Sequence, residues 1–249
     1  MAGHSKWANI KHRKGRQDAA RGKLFAKLAK GIEVAAREGG GDPGFNPTLA
    51  TAVEKAKAAS MPNDNIERAI KRGTGEVEGA VYEEIWYEGY GPGGVAIYVQ
   101  ILTDNRNRAA SDVRSTFTRR GGNLGEPGSV AYLFSQKGLI VVEGDEDDVM
   151  LAALEAGAED VRESDRGIYE VVTSPTDLSS VRAAVSEAGL AVDNADITQL
   201  PSTTVPVGES DAKRLLRLID ELDDLDDVQS VYSNYDIEDA VMDRVLAEA

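Results

Sequence analysis

The sequence predicts an α+β protein: an N-terminal helical bundle followed by two α+β sandwiches of the split βαβ, ferredoxin-like kind. Two observations carry that prediction. The hydrophobic period runs near 3.6 residues up to Gly75, then changes to short runs rich in aromatic and β-branched residues. Beyond that point strands and helices alternate, but helices are few and hairpins intervene, which disfavours a doubly wound parallel sheet. About eight strands and four helices are too many for one ferredoxin-like unit and suit two.

The first element is a basic strap. Residues 3–31, "GHSKWANIKHRKGRQDAARGKLFAKLAKG", hold nine Lys or Arg against a single acid, Asp18. A helix is predicted from Gln17 to Glu38, with Leu24, Phe25, Leu28, Ile32 and Ala35 on one arc. Arg16, Lys23, Lys27, Lys30 and Arg37 fall on the opposite arc, as a basic stripe facing outward. "GGGDPG" at 39–44 stops this helix, and Asn46-Pro47 reads as the N-cap and first position of a second one. "MPNDNIERAIKRG" at 61–73 starts a third, with Asp64 and Glu67 at capping-box spacing and Gly73 at its stop. Trp7, inside the strap, can stack on a base or anchor the strap to the bundle.

After Gly75, "YEEIWYEGY" and "VAIYVQILT" read as a hairpin joined through "GYGPGG", and residues 106–120 read as a helix. "GSVAYLF" and "GLIVVEG" read as strands, and "DEDDVMLAALEAG" as a helix whose acidic start complements its dipole. "GIYEVVTS" is a strand, and Ser174-Pro175 caps a helix bearing Leu178, Val181 and Val185. "AVDNADITQLP" is a strand, Ser210 begins a helix bearing Leu215, Leu218 and Leu222, and "VQSVYSNYDI" is the last strand.

Charge divides the chain more sharply than hydropathy does. The whole carries −15, yet residues 1–75 hold 15 basic against 7 acidic side chains and the remainder 13 against 36. An arm of net +8 on a body of net −23 points to a polyanion as partner. The absence of cysteine rules out disulfides and thiolate zinc sites. Apolar runs of the second half, such as Leu139 to Val142, are far too short for a membrane span, and no apolar region follows the basic start as in a secretory signal. A soluble, cytoplasmic protein is expected.

Catalytic chemistry is hard to find. "GYGPGG" matches a dinucleotide fingerprint literally, but it opens a strand and carries Pro92, so it reads as a turn. His4 and His12, the only histidines, lie in the strap without a metal-binding companion. "GDEDD" lacks the ligand spacing of a calcium loop, and "ELDDLDDV" at 221–228 reads as a solvated helix end rather than a metal site. "RRGGNLGEPGSVAYLF" at 119–134 is either an ordinary helix-to-strand connection or a glycine-rich loop, 121–128, that touches a phosphate chain or partner. No enzyme, cofactor, metal or small-molecule substrate is expected.

Three blocks, residues 1–32, 46–75 and 82–134, together with their spacing, resemble the YebC/PmpR family, whose mitochondrial members include the translational activator of cytochrome oxidase. The resemblance implies three domains: 1–75, a discontinuous central domain of 76–135 plus 205–249, and an inserted domain of 136–204. It also implies a non-catalytic role in gene expression, described for many bacterial members as DNA-binding transcriptional regulation and for others as translation with mRNA or the ribosome. The contact surface it suggests is the basic block Lys6, Lys11, His12, Arg13, Lys14, Arg16, Arg21, Lys23, Lys27 and Lys30, to which Trp7 is added on its own chemistry. No helix-turn-helix stands out, and no Asn or Gln cluster joins the arginines to read bases. A basic arm threading into rRNA, with the acidic body held clear of phosphate, is the alternative to duplex DNA.

Overall fold

The computed structural model describes residues 19–247. Three helices come first: α1 (Ala19–Gly39), α2 (Pro47–Ala58) and α3 (Asn63–Thr74). They close on a small apolar core of Ile32, Leu49, Val53, Ala56, Ile66 and Ala69, with Phe25 and Leu28 packed against it. Leu24, expected on the same arc, is instead 44% exposed, because the packing face of α1 begins one position later. Asn46 caps α2 as read: its side-chain oxygen accepts from the Leu49 N–H, and its amide donates to the carbonyls of Ala35 and Gly40.

The capping of α3 differs from the sequence reading. Pro62 stands at the N-cap with no side-chain hydrogen bond, and Asp64 sits within the first turn, where it complements the dipole. Gly73 is inside the helix, and Gly75, at φ 81°, makes the left-handed stop. A Cβ on Gly73 would lie 2.5 Å from the Glu33 carbonyl oxygen, so this glycine permits the close crossing of α1 and α3.

The chain then enters the central sheet through β1 (Glu83–Tyr90) and β2 (Ala96–Thr103), an antiparallel pair. "GYGPGG" is the turn between them, a single 3-10 turn with Gly93 and Gly94 both at positive φ. Helix α4 (Arg106–Arg119) and the short β3 (Asn123–Leu124) follow, and β3 pairs with the free edge of β1. "GSVAYLF", expected as a strand, forms a 3-10 turn over Ala131–Leu133, and regular pairing starts only at Phe134.

Next come β4 (Phe134–Glu143), α5 (Glu146–Glu155), β5 (Asp160–Asp165), β6 (Ile168–Thr173), α6 (Leu178–Glu187) and β7 (Ala191–Pro201). Their sheet has the order β5-β6-β4-β7, all antiparallel, which is the ferredoxin-like arrangement. Its core is Ile140, Val142, Val149, Ala153, Tyr169, Val171, Val181 and Val185. Ser174-Pro175 precede α6 rather than capping it; the Ser174 hydroxyl accepts from the Asp177 N–H, and the helix starts at Leu178.

The chain returns through β8 (Val205–Pro206), α7 (Glu209–Asp223), β9 (Val228–Ser233), β10 (Tyr235–Asp236) and α8 (Asp239–Ala247). β9 pairs with β2, completing a sheet of order β3-β1-β2-β9, while β8 and β10 form a parallel two-stranded ribbon. This sheet reaches the ferredoxin-like spatial order by another path: β2 and β3 flank β1 as β4 and β5 flank β6, but β1 enters from the start of the unit. Helices α4 and α7 cover one face, burying Ile97, Val99, Ile101, Val113, Phe117, Leu215, Leu218 and Leu222. Helix α8, absent from the sequence reading, adds Met242 and Val245 to that core.

The other face of the central sheet carries a row of rings. Trp86 and Tyr98 stack at 4.3 Å between centroids, Trp86 and Tyr232 at 6.1 Å, and Tyr98 and Phe134 at 5.6 Å. Phe134 is the first residue of β4, so one strand belongs to this row at its start and to the inserted sheet beyond it.

Candidate nucleic-acid interface

Of the residues expected at a nucleic-acid surface, Lys6, Trp7, Lys11, His12, Arg13, Lys14 and Arg16 lie outside the described residues. The remainder sit on α1. Arg21 is exposed on its first turn, and Lys23, Lys27 and Lys30 line up along one face, opposite the side that packs into the helical core.

That row does not face open solvent, as the sequence suggested. It meets the C-terminal end of α7 and the acidic turn that follows. Lys23 donates to the Asp224 carbonyl at 3.3 Å, and its ammonium stands 3.7 Å from the Asp224 carboxylate. Lys27 donates to both the carbonyl and the carboxylate of Asp223, the latter at 3.2 Å. Lys30 donates to the Asp226 carbonyl at 2.8 Å and to the Asp227 carboxylate at 2.9 Å. The physical reason is plain: carbonyls at a helix C-terminus lack intrahelical donors and sit at the negative end of the dipole, and four aspartates add full charges there. "ELDDLDDV" is therefore neither a solvated helix end nor, among the described residues, part of a group that could hold a metal ion.

Asp227 anchors the turn. It is only 7% exposed and accepts from Arg108 (Nη2 at 2.7 Å, Nε at 3.2 Å), from the Thr103 hydroxyl at 3.0 Å and from Lys30. Burial works to raise its pKa, but the hydrogen bonds from Arg108, Lys30 and Thr103 outweigh it and hold the carboxyl below the ordinary range. Arg108 also reaches Asp104 at 2.8 Å, one helical turn away. Asn105 caps α4 beneath it, accepting from the Arg108 N–H. A cleft of about 380 Å³ opens beside this cluster, lined in part by Lys23, Arg108, Asp112, Asp224 and Asp226.

Further polar contacts join the helical unit to the rest. Arg37 donates to the Ala80 carbonyl, the Lys30 ammonium lies 5.4 Å from the centre of the Tyr82 ring, Lys55 pairs with Asp196 at 2.5 Å, and Glu54 stands 3.6 Å from Arg182. None of the apolar clusters among the described residues mixes side chains of 19–74 with those of the sheets.

The glycine-rich loop that follows Arg119 and Arg120 has its own occupant. The Glu88 carboxylate, buried beneath it, accepts from the backbone N–H groups of Gly128 (2.6 Å), Val130 (2.6 Å) and Ala131 (2.8 Å). Burial pushes the Glu88 pKa up, the three amides pull it down, and the net result lies below the usual glutamate value. These amides hold an internal carboxylate, so they form no cradle for an external phosphate. Arg119 and Arg120 turn toward Glu221 on α7.

Sequence reasoning missed Asp223, Asp224, Asp226, Asp227, Arg108 and Glu88. A signal existed for the aspartates, since the acid-rich segment 221–227 and the basic stripe of α1 are complementary. Nothing in the spacing marks Glu88, which reads as one more outward-facing residue of an alternating strand.

The TACO1/YebC protein N-terminal domain matches residues 5–76, and the TACO1/YebC second and third domain matches residues 82–235. The chain belongs to the TACO1/YebC family. A relative from Frankia casuarinae, named a probable transcriptional regulatory protein, is 59% identical over 98% of this chain and 99% of its own length. One of the same description from Mycolicibacterium smegmatis is 59% identical over 97% of each. The crystal structure of a conserved hypothetical protein from Aquifex aeolicus is 48% identical, with a TM-score of 0.80 over 89% of this chain and 93% of that one. The α+β fold and the family expected from the sequence are both met. Among the described residues, this TACO1/YebC chain has no helix long and apolar enough to cross a membrane.

Proposed function

We propose that this protein is a non-catalytic, nucleic-acid-binding regulator of gene expression that docks through its basic N-terminal domain. The observation that carries the reading is the α1 row: three lysines, about one turn apart, already engage oxyanions in register. A phosphodiester backbone offers the same chemistry at a comparable repeat. Relatives named probable transcriptional regulatory proteins support the regulator reading, with duplex DNA as the first target to try. The contact surface is the basic block Lys6, Lys11, His12, Arg13, Lys14, Arg16, Arg21, Lys23, Lys27 and Lys30, with Trp7 able to add stacking.

The test is binding of a labelled duplex DNA and a labelled single-stranded RNA across a salt series. With about eight phosphate contacts, log affinity falls against log salt with a slope near −7 for the duplex and less steeply for the single strand. No binding, or a flat salt response, overturns the reading.

A second reading, an RNA- or ribosome-associated translation factor, is favoured by the −23 carried by residues 76–249. Such a body repels a phosphate surface and leaves contact to one arm, which suits basic proteins and rRNA side by side. Sedimentation of cell extract through a sucrose gradient at low salt decides between the two. Co-migration with ribosomes that ribonuclease abolishes selects translation, and a protein that stays at the top in both samples selects DNA.

A further inference from the structure

The geometry points to an intramolecular competitor: the acidic turn of residues 223–227 occupies the phosphate positions of the α1 lysine row, and nucleic acid takes that row only after the turn has let go. The inference rests on the reading of the row as a phosphate-contacting surface.

Four observations carry it. The turn presents what a nucleic-acid backbone presents, negatively charged oxygens repeated along a line, and each of the three lysines is matched to its own aspartate. The contact is graded along the row. Side-chain exposures of the pairs fall from 50% and 75% at Lys23–Asp224, through 16% and 29% at Lys27–Asp223, to 15% and 9% at Lys30–Asp227. Separation therefore begins at the outer pair, where water already competes. At the inner end, Asp227 keeps Arg108 and Thr103 when Lys30 leaves, so the carboxylate is not stranded and its central-domain site stays formed.

The third observation is that no apolar cluster crosses the junction, so parting the helical unit from the sheets breaks polar contacts, screened at the outer pair and sheltered at the inner one, and exposes no hydrophobic core. The fourth is the connection. Residues 75–82, "GEVEGAVY", contain no helix or strand and are mostly exposed, which leaves room for the helical unit to swing. Two ionic contacts elsewhere, Lys55–Asp196 and Glu54–Arg182, are solvent-screened like the outer Lys23–Asp224 pair and part with it.

A closed state of this sort makes two demands on binding. The measured affinity is the intrinsic one reduced by the fraction of open molecules. Salt loosens the latch while it weakens the phosphate contacts, so the wild-type salt slope is shallower than that of a chain with the latch removed.

The experiment uses the full-length protein and two probes, a fluorescent 20-base-pair duplex DNA and a 20-nucleotide RNA. In Asp223→Asn/Asp224→Asn/Asp226→Asn, with Asp227 kept, affinity for the probe rises about 10- to 100-fold, as removing a closed state holding 90–99% of molecules requires, and the salt slope steepens. In Lys23→Cys/Asp224→Cys, the chain's lack of native cysteine makes the pair unique, and a cleavable bis-maleimide joins α1 to the turn. The cross-linked protein binds at least about tenfold more weakly than the same protein after the linker is cleaved. Equal affinity before and after cleavage overturns the competitor, whatever the triple variant does, because the row is then either dispensable or open while tethered. Failure of every form, uncross-linked wild type included, to bind either probe overturns the nucleic-acid reading itself and the competitor with it. The cross-linking arm stands even if the triple variant fails to fold.

Discussion

The two faces of α1 obey different physics. One face sinks Ile32 and Ala36 into an apolar core shared with α2 and α3, where removal from water supplies the stability. The other lays Lys23, Lys27 and Lys30 on the aspartates of the central domain, where each pair gains Coulomb energy but loses hydration. A single helix is thus bound firmly to its own unit and loosely to the next. The difference teaches that the helical unit holds itself together by burial and is only addressed to its neighbour by charge.

The largest effect is expected where burial dominates. Leu49→Ala, at a fully buried position, destabilises the helical unit by about 2–5 kcal/mol in urea unfolding. A loss confined to a few tenths would show that the core is not what holds this unit. Gly73→Ala comes next: its methyl meets the Glu33 carbonyl, which is backbone and cannot swing aside, so α3 is driven off α1 at a cost of about 1–3 kcal/mol.

A buried charge held by backbone amides lies between these extremes. Glu88→Gln keeps the shape but weakens three charge-assisted bonds, costing about 1–3 kcal/mol and speeding hydrogen exchange at Gly128, Val130 and Ala131. The pH response has a definite sign. Because the folded pKa is depressed, the stability Glu88 contributes is complete above the ordinary glutamate range and disappears as pH falls through the lowered value. Glu33, salt-bridged to Arg72 in the helical unit, shifts the other way, since burial there outweighs the guanidinium. Its contribution grows as pH falls through the raised folded value and is complete below the ordinary glutamate value, so acid loosens the loop before the bundle.

The smallest stability change belongs to the junction. Asp223→Asn/Asp224→Asn shifts the unfolding free energy by no more than about 1 kcal/mol. It nonetheless raises the radius of gyration measured by X-ray scattering at low salt, as the helical unit leaves the sheets. An unchanged radius with a large stability loss would reverse the comparison and make the junction part of the core.

What could be read from the chain follows the same division. Periodicity and capping chemistry act locally, so α1, the Asn46 cap, the β1–β2 turn and the inserted unit's helices were legible. Strand β5, "DVRESD", was not, because an edge strand with polar side chains lacks the apolar alternation that marks a buried one. Gly73 looked like a stop because sequence cannot distinguish a glycine needed for positive φ from one needed for a close helix crossing. The lysine row was legible as a row, but what lies against it comes from nearly two hundred residues further along. Electrostatic complementarity between distant segments has no period to detect.

The place of β9 in the central sheet has a consequence for how the chain folds. The edge of β2 that β9 covers is made early in synthesis, yet its partner, residues 228–233, emerges only after the inserted unit and α7. Until then a run of Ile97, Val99 and Ile101 offers unpaired backbone to any passing strand. The inserted unit shortens the wait in space, if not in time. Phe134 pairs with Pro201, so once that unit has folded its two ends leave side by side, and the loop to be closed shrinks by the whole insertion. Folding of the middle first is therefore the route that limits both the entropy of closure and the exposure of a sticky edge.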